Sequence, residues 1–235
     1  MDKQTEMKTA GIKEALESTE DFRNAAAAAL YPLSAARRDD PTAASTALPH
    51  DRRGDCDLNP DLENELLMQK TPRPAAVLAP IIARDDLTLL LTLRPEHMSA
   101  HAGQISFPGG KLETRDNGDP LAAALRETNE EIGLPPSFIE PIGLLDNYRT
   151  ATGFVITPVV ALVAPGFHLQ LNALEVADAF EVPLRFLMDE RNHQRDCLLW
   201  QGRKRFFHVI TYHDRYIWGA TAGIIKNLHE RLTSR

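Results

Sequence analysis

Residues 119–134 constrain this chain more than any other stretch, because they read as a helix with its carboxylates crowded onto one side. Asp119-Pro120 supplies an N-cap and a first-turn proline, Leu121 to Leu125 are helix formers, and Gly133 supplies the stop. Between them runs Arg126-Glu127-Thr128-Asn129-Glu130-Glu131-Ile132-Gly133-Leu134. Glu127, Glu130 and Glu131 fall at i, i+3 and i+4, so the three carboxylates share a face. Like charges at that spacing destabilise a bare helix by about 0.2–0.5 kcal/mol per pair. A hard, oxygen-seeking cation such as Mg²⁺ or Mn²⁺ turns the repulsion into coordination.

Three glutamates alone fit a solvated helix face better than a metal site. The residues upstream reverse that balance. Phe107-Pro108-Gly109-Gly110-Lys111-Leu112-Glu113 reads as a strand ending in a glycine pair, followed by an acidic loop that feeds the helix. Glycines there let the backbone approach a ligand, and the Gly110 carbonyl is a candidate metal ligand.

The formal net charge of −7 disfavours non-specific binding to nucleic acid. Divalent ions reverse that sign locally, so an acidic chain can still take a phosphorylated small molecule. Cys56 and Cys197 are too few for a disulfide framework, which fits a reducing, cytoplasmic setting. Cys197, flanked by Leu198, Leu199 and Trp200, is expected to be buried and inert. The first residues lack a secretory pattern, and no apolar stretch is long enough to span a bilayer, so no membrane partner is expected.

Residues 1–70 read as an arm and 71–235 as the catalytic domain. In the arm, Asp21 to Leu30 suggests a helix stopped near Pro32, residues 37–54 a polar loop, and Asn59 to Leu67 the start of a short helix. Ala75 to Ile82 reads as a buried strand and Leu87 to Leu93 as its return. Further strands are expected over 142–148, 154–163, 197–200, 205–212 and 215–217. Ile224, Ile225, Leu228 and Leu232 have helical spacing. Strands with helices inserted among them give an α+β class.

Residues 110–134 resemble the Nudix box, in which a glycine, an acidic residue and R-E-U-x-E-E-x-G-U (U aliphatic) recur at set spacing. Gly110, Arg126, Glu127, Glu130, Glu131, Gly133 and Leu134 match. Nine residues rather than seven precede Arg126 after Asp116, and Thr128 stands at an aliphatic position. The resemblance implies an α/β/α sandwich with a mixed central sheet and pyrophosphate hydrolysis assisted by Mg²⁺ or Mn²⁺. Glu127 and Glu131 would be the main metal ligands, Glu130 a third ligand or the base, and Arg126 the holder of a loop carboxylate. Either Glu113 or Asp116 takes the box's first acidic role.

Leu90-Leu91-Thr92-Leu93-Arg94, then Gly103, then Phe107-Pro108-Gly109-Gly110, resembles the coenzyme A pyrophosphatase branch in every spacing. It departs at Pro95, where that branch has Ser or Ala, and at Ser99, where it has arginine. The resemblance implies Arg94, Gly103, Phe107 and Gly109 as substrate-binding residues and a coenzyme A-like nucleotide as substrate. Other nucleoside diphosphates, such as ADP-ribose or NADH, form the rival class, and a catalytically silent binding module a third. Glu175 and Glu181 are weighed as an extra metal ligand or base, and His101 as a substrate contact. Trp218 is expected in core packing, and His208 and His213 in surface or packing roles. The arm could support a homodimer or cover the site.

Overall fold

Two apolar runs form the spine of the central sheet. β2 (Arg73–Ile82) lies parallel to β8 (Phe154–Val163) over its whole length, from Arg73 opposite Phe154 to Ile82 opposite Val163. Burial on both faces explains why each reads as a continuous hydrophobic segment rather than an alternating one. The computed structural model describes residues 11–36, 53–62, 72–98, 101–200 and 202–234.

Shorter strands complete this sheet. β3 (Thr88–Leu93) returns antiparallel to β2, and β4 (Ile105–Ser106) and β9 (Asp178–Pro183) pair with β3. β5 (Gly109–Lys111) pairs with the first half of β2, Gly110 lying opposite Ala76. β6 (Ile139–Leu144) and β7 (Tyr148–Arg149) both pair with β8, and β1 (Arg53–Gly54) lies parallel to β7. The strand expected over 142–148 is thus two strands. β10 (Gln194–Trp200), β11 (Arg203–Tyr212) and β12 (Arg215–Trp218) make a separate antiparallel sheet.

Strand parity sorts the core into two faces. Ala76, Leu78, Val159 and Ala161 face α2 (Pro120–Ile132), meeting its Ala123 and Ala124. Small residues on both sides bring helix and sheet close together. Ala79, Ile81, Val160 and Leu162 point the other way, into a cluster with α1 (Thr19–Ala29) and α3 (Ala220–Thr233) through Phe22, Ala26, Ile224 and Leu228. Helices on both faces of a mixed sheet make the α/β/α sandwich, of α+β class.

Described residues of α1 share this core. Ser18 caps α1 by accepting the Asp21 N–H, and Phe22 and Ala26 are fully buried. Tyr31 bridges to Leu144, and Arg23 makes a forked pair with Glu140 at 3.2 and 2.9 Å. The polar loop before residue 53, and the helix expected toward Leu67 from residue 63 onward, lie outside the described residues.

One local expectation is overturned, and a second is met in part. Cys197 is exposed, because β10 is an edge strand with all seven residues exposed; apolar sequence neighbours there do not mean burial. Trp218 is only half-buried and lies against Phe207, ring centres 5.0 Å apart.

Candidate active site

β5 and α2 meet where the glycine pair ends. Gly109 has φ +148°, and a Cβ there would fall 2.4 Å from the Ala76 carbonyl oxygen, so a side chain is excluded. Its N–H donates to Glu131 Oε2 at 3.0 Å. A Cβ on Gly110 would lie 2.5 Å from the Glu127 carboxylate carbon. The bare backbone of Gly110 is therefore the wall against which Glu127 rests.

The three box glutamates occupy different environments. Glu131 is 5% exposed, and burial pushes its carboxyl up to about 7, against the opposing Gly109 amide and with the Glu127 charge adding to the rise. Glu127 is half-buried and also raised, first by burial. Glu130 is exposed and reaches Arg115 Nη1 at 3.1 Å. One face carries all three, but only Glu127 and Glu131 turn inward.

A single guanidinium binds this edge of the site together. Arg126 grips Asp116 with two parallel bonds, Nε to Oδ1 at 2.8 Å and Nη2 to Oδ2 at 2.9 Å. Its Nη1 donates to Glu127 Oε1 at 2.8 Å and Glu130 Oε2 at 3.0 Å. Asp116 also accepts the Glu113 N–H at 2.7 Å, closing a short 3₁₀ turn over Thr114–Asp116. Asn117 and Gly118 follow with φ 51° and 73°. The helix begins directly after this turn, at Pro120, with Asp119 as its cap. Glu113 instead accepts from Arg115 at 2.7 Å and stays exposed.

The loop after β8 closes the far end of α2. Gln170 N–H donates to the Ile132 carbonyl and Asn172 N–H to that of Glu131, both at 2.9 Å, satisfying end carbonyls the helix cannot bond itself. Gly133, at φ 67°, makes room, since a Cβ there would meet Gln170 Cβ at 2.9 Å. The same loop carries Glu175, whose charge raises the carboxyls of both Glu127 and Glu131. Glu181 lies elsewhere: Arg84 binds it at 2.7 and 2.6 Å and Thr88 donates to it. Those bonds hold Glu181 below the usual carboxylate range and commit it to an ion pair on β9.

Among the substrate candidates, Arg94 has its Nε buried with no hydrogen-bond partner among the described residues, while its charge opposes the rise at Glu131. Gly103 (φ 65°) leaves room for Glu96, whose Oε1 would lie 2.4 Å from an added Cβ, and its N–H donates to the Arg94 carbonyl at 3.2 Å. His101 pairs with Gln104 at 2.7 Å. Phe107, expected at the substrate, is 3% exposed and belongs to the core cluster with Leu89 and Ile105. Its side chain serves packing, leaving the backbone of the following glycines to face the site. The bonds from Gln170, Asn172 and Arg115 were not foreseen; they join residues distant in the chain or depend on a turn no periodicity announces.

Among the described residues, no three acidic, histidine or cysteine side chains converge as a ready coordination shell. The Arg126 cation and the Gly109 amide balance the carboxylates instead. The donor set nevertheless suits a hard divalent ion: oxygen-only side chains, two of them pushed up by burial, beside a glycine wall that any Cβ would fill.

Comparisons with known proteins identify the family. The sequence model of the NUDIX domain matches residues 72–185. A protein of Enterobacter sp. (strain 638), described as an uncharacterized Nudix hydrolase, NudL, is 40% identical over 172 residues, covering 73% of this chain and 87% of its own. NudL of Escherichia coli (strain K12), described in the same words, shows the same identity and coverage. Among solved structures, a Nudix hydrolase from M. smegmatis, RenU, is 18% identical, with TM-score 0.43, covering 69% of this chain and 87% of its own. The chain belongs to the Nudix hydrolase family, enzymes that act on pyrophosphate bonds of nucleotide-derived substrates and generally use divalent metal ions.

Proposed function

We propose that this hydrolase cuts the pyrophosphate bond of coenzyme A or an acyl-coenzyme A, releasing 3',5'-adenosine bisphosphate and 4'-phosphopantetheine or its acyl form. The observation that carries the reading is the buried Nε of Arg94, without a hydrogen-bond partner among the described residues, within the Leu90 to Gly110 stretch. A buried guanidinium donor without a partner is costly unless an anion meets it, and a substrate phosphate is such an anion.

Glu127, Glu131 and the Gly110 carbonyl would hold the divalent ions, Mg²⁺ or Mn²⁺, with Glu130 a third ligand or the base. When bound, such ions neutralise the pyrophosphate, stabilise charge developing at phosphorus and acidify the attacking water. Arg126 keeps Glu127 and Glu130 in place from behind, and Asp116 fixes Arg126. Glu130, the exposed member, and Glu175 are the carboxylates suited to accept the proton from water. Pro95 and Ser99 depart from the coenzyme A branch and keep ADP-ribose and related dinucleotides as the second reading. A silent binding module is disfavoured by the complete set of Glu127, Glu130 and Glu131.

A substrate panel with metal titration and product analysis tests the reading. Release of 3',5'-adenosine bisphosphate from coenzyme A is the expected outcome. AMP release from ADP-ribose with coenzyme A untouched would assign the second class.

A further inference from the structure

The β10–β11 hairpin is the most exposed apolar feature among the described residues. Of the seven large hydrophobic side chains left exposed there, Leu198, Leu199, Trp200 and Phe206 belong to this hairpin, Leu199 at 73% and Trp200 at 59%. Clustered exposure of this kind marks an interaction site far more than a single exposed leucine does. The hairpin is also basic: Arg195, Arg203, Lys204 and Arg205 stand against Asp196 within it and Asp61 beside it, on a chain whose net charge is −7.

Register places apolar and basic residues on both faces. Cys197 lies opposite Phe206 and Leu199 opposite Lys204, on one face. Leu198 lies opposite Arg205 and Trp200 opposite Arg203, on the other. A protein partner covers one side of a ribbon; a blade that is apolar on both sides suits immersion in a fluid medium. The free edge is also blunted, because the Cys197 N–H is taken by Asp196 Oδ1 at 2.7 Å, which opposes addition of another strand. A two-fold pairing of hairpins would further bring each basic cluster against its own copy.

We propose that this hairpin docks the enzyme on the surface of an anionic lipid bilayer. Leu199 and Trp200 enter the headgroup boundary while Arg195 and Lys204 meet lipid phosphates. Leu198 to Trp200 spans about 7 Å of strand, comparable to the ~5–10 Å by which interfacial segments sink. A tryptophan at the tip suits that boundary, apolar on one side and wet on the other. Surface docking is compatible with the absence, among the described residues, of any helix long and apolar enough to cross a membrane. It departs from the sequence expectation of no membrane partner and is independent of which pyrophosphate the site cuts.

The test is co-sedimentation of the full chain with vesicles of phosphatidylcholine, alone or mixed with phosphatidylglycerol. Binding is expected with the mixed vesicles only, weakening with salt and shifting Trp200 fluorescence to the blue. The double variant L199S/W200S should lower the bound fraction at least about tenfold, and R195Q and K204Q about fivefold each. An unchanged thermal midpoint certifies that the variants fold. Absence of binding to either vesicle, or equal binding to both, overturns the proposal. So does a dimer in light scattering that L199S/W200S dissolves while vesicles have no effect, which assigns the hairpin to a second copy.

Discussion

Arg126 and Asp116 face each other in a two-pronged ion pair, 2.8 and 2.9 Å, that fastens the acidic loop to the helix bearing the glutamates. Both side chains are largely buried, at 14% and 2% exposure, so neither is well screened by water. The pair acts on Glu127 and Glu130 indirectly, through the guanidinium they share.

Arg126→Ala leaves Asp116 charged, buried and without its main partner, and should destabilise the fold by about 3 kcal/mol. Arg126→Lys keeps the charge but loses the fork, and should recover only part of the loss. The Arg126 bonds hold the Asp116 carboxyl below its usual range. That stabilisation is therefore full above the unfolded value of about 3.9 and fades as pH falls through the lower folded value. Urea unfolding of wild type and variants from neutral to acid pH reads it directly; identical acid sensitivity in Arg126→Ala would refute the assignment.

Glu130→Gln and Glu131→Gln should each reduce turnover at least about a hundredfold, through lost metal or base function. Steady-state kinetics, with Mn²⁺ binding measured by calorimetry alongside, separates ligand loss from base loss. Unchanged kinetics in both variants would remove these residues from the site.

The two glycines should fail in different ways. Gly110→Ala pushes the Glu127 carboxylate away and should lower kcat about tenfold or more with little change in unfolding midpoint. Gly109→Ala collides with backbone at Ala76 and Val77 on β2 and should destabilise the sheet itself. Paired activity and thermal-melt measurements distinguish them, and equal melts would contradict the geometry.

His208 supplies a second pH dependence, away from the site. Burial, with Lys226 and Arg195 adding, lowers it from 6.5 to about 4. The unfolded chain therefore takes up a proton in the window from pH 6.5 down to 4 that the folded chain refuses, so stability falls as pH falls through it. Partial exposure reduces the effect to on the order of 1–2 kcal/mol. His208→Gln should flatten the wild-type drop between pH 7 and pH 5 in denaturant titrations, and an unaltered slope would count against it.

The grouping of the candidate site was legible because its residues lie close together in the chain. Three glutamates within one helical turn, a preceding arginine and a glycine pair need no tertiary knowledge to be grouped. Even the odd Thr128 has a local reason: fully buried, it satisfies its hydroxyl on the Ala124 carbonyl at 2.7 Å. What sequence could not separate was Glu175 from Glu181, six positions apart, because a loop docked on a helix end directs one and a strand register the other. Cys197 misled for a related reason, since apolar neighbours on an edge hairpin point to solvent on both faces. The change in composition near residue 70 suggested an appendage, whereas Phe22 inserts among residues from the far end of the chain.

That insertion has a mechanical corollary. Tyr31, from before the family-matched stretch, and Arg231, from after it, both bond Asp146, and Arg231 also lies over the Tyr31 ring at 4.0 Å. Residues 72–185 carry the proposed site, and they should not behave as an independent cooperative unit. Heating should melt both flanks and the central sheet together, and excising the middle should forfeit the packing that keeps the glutamates aligned.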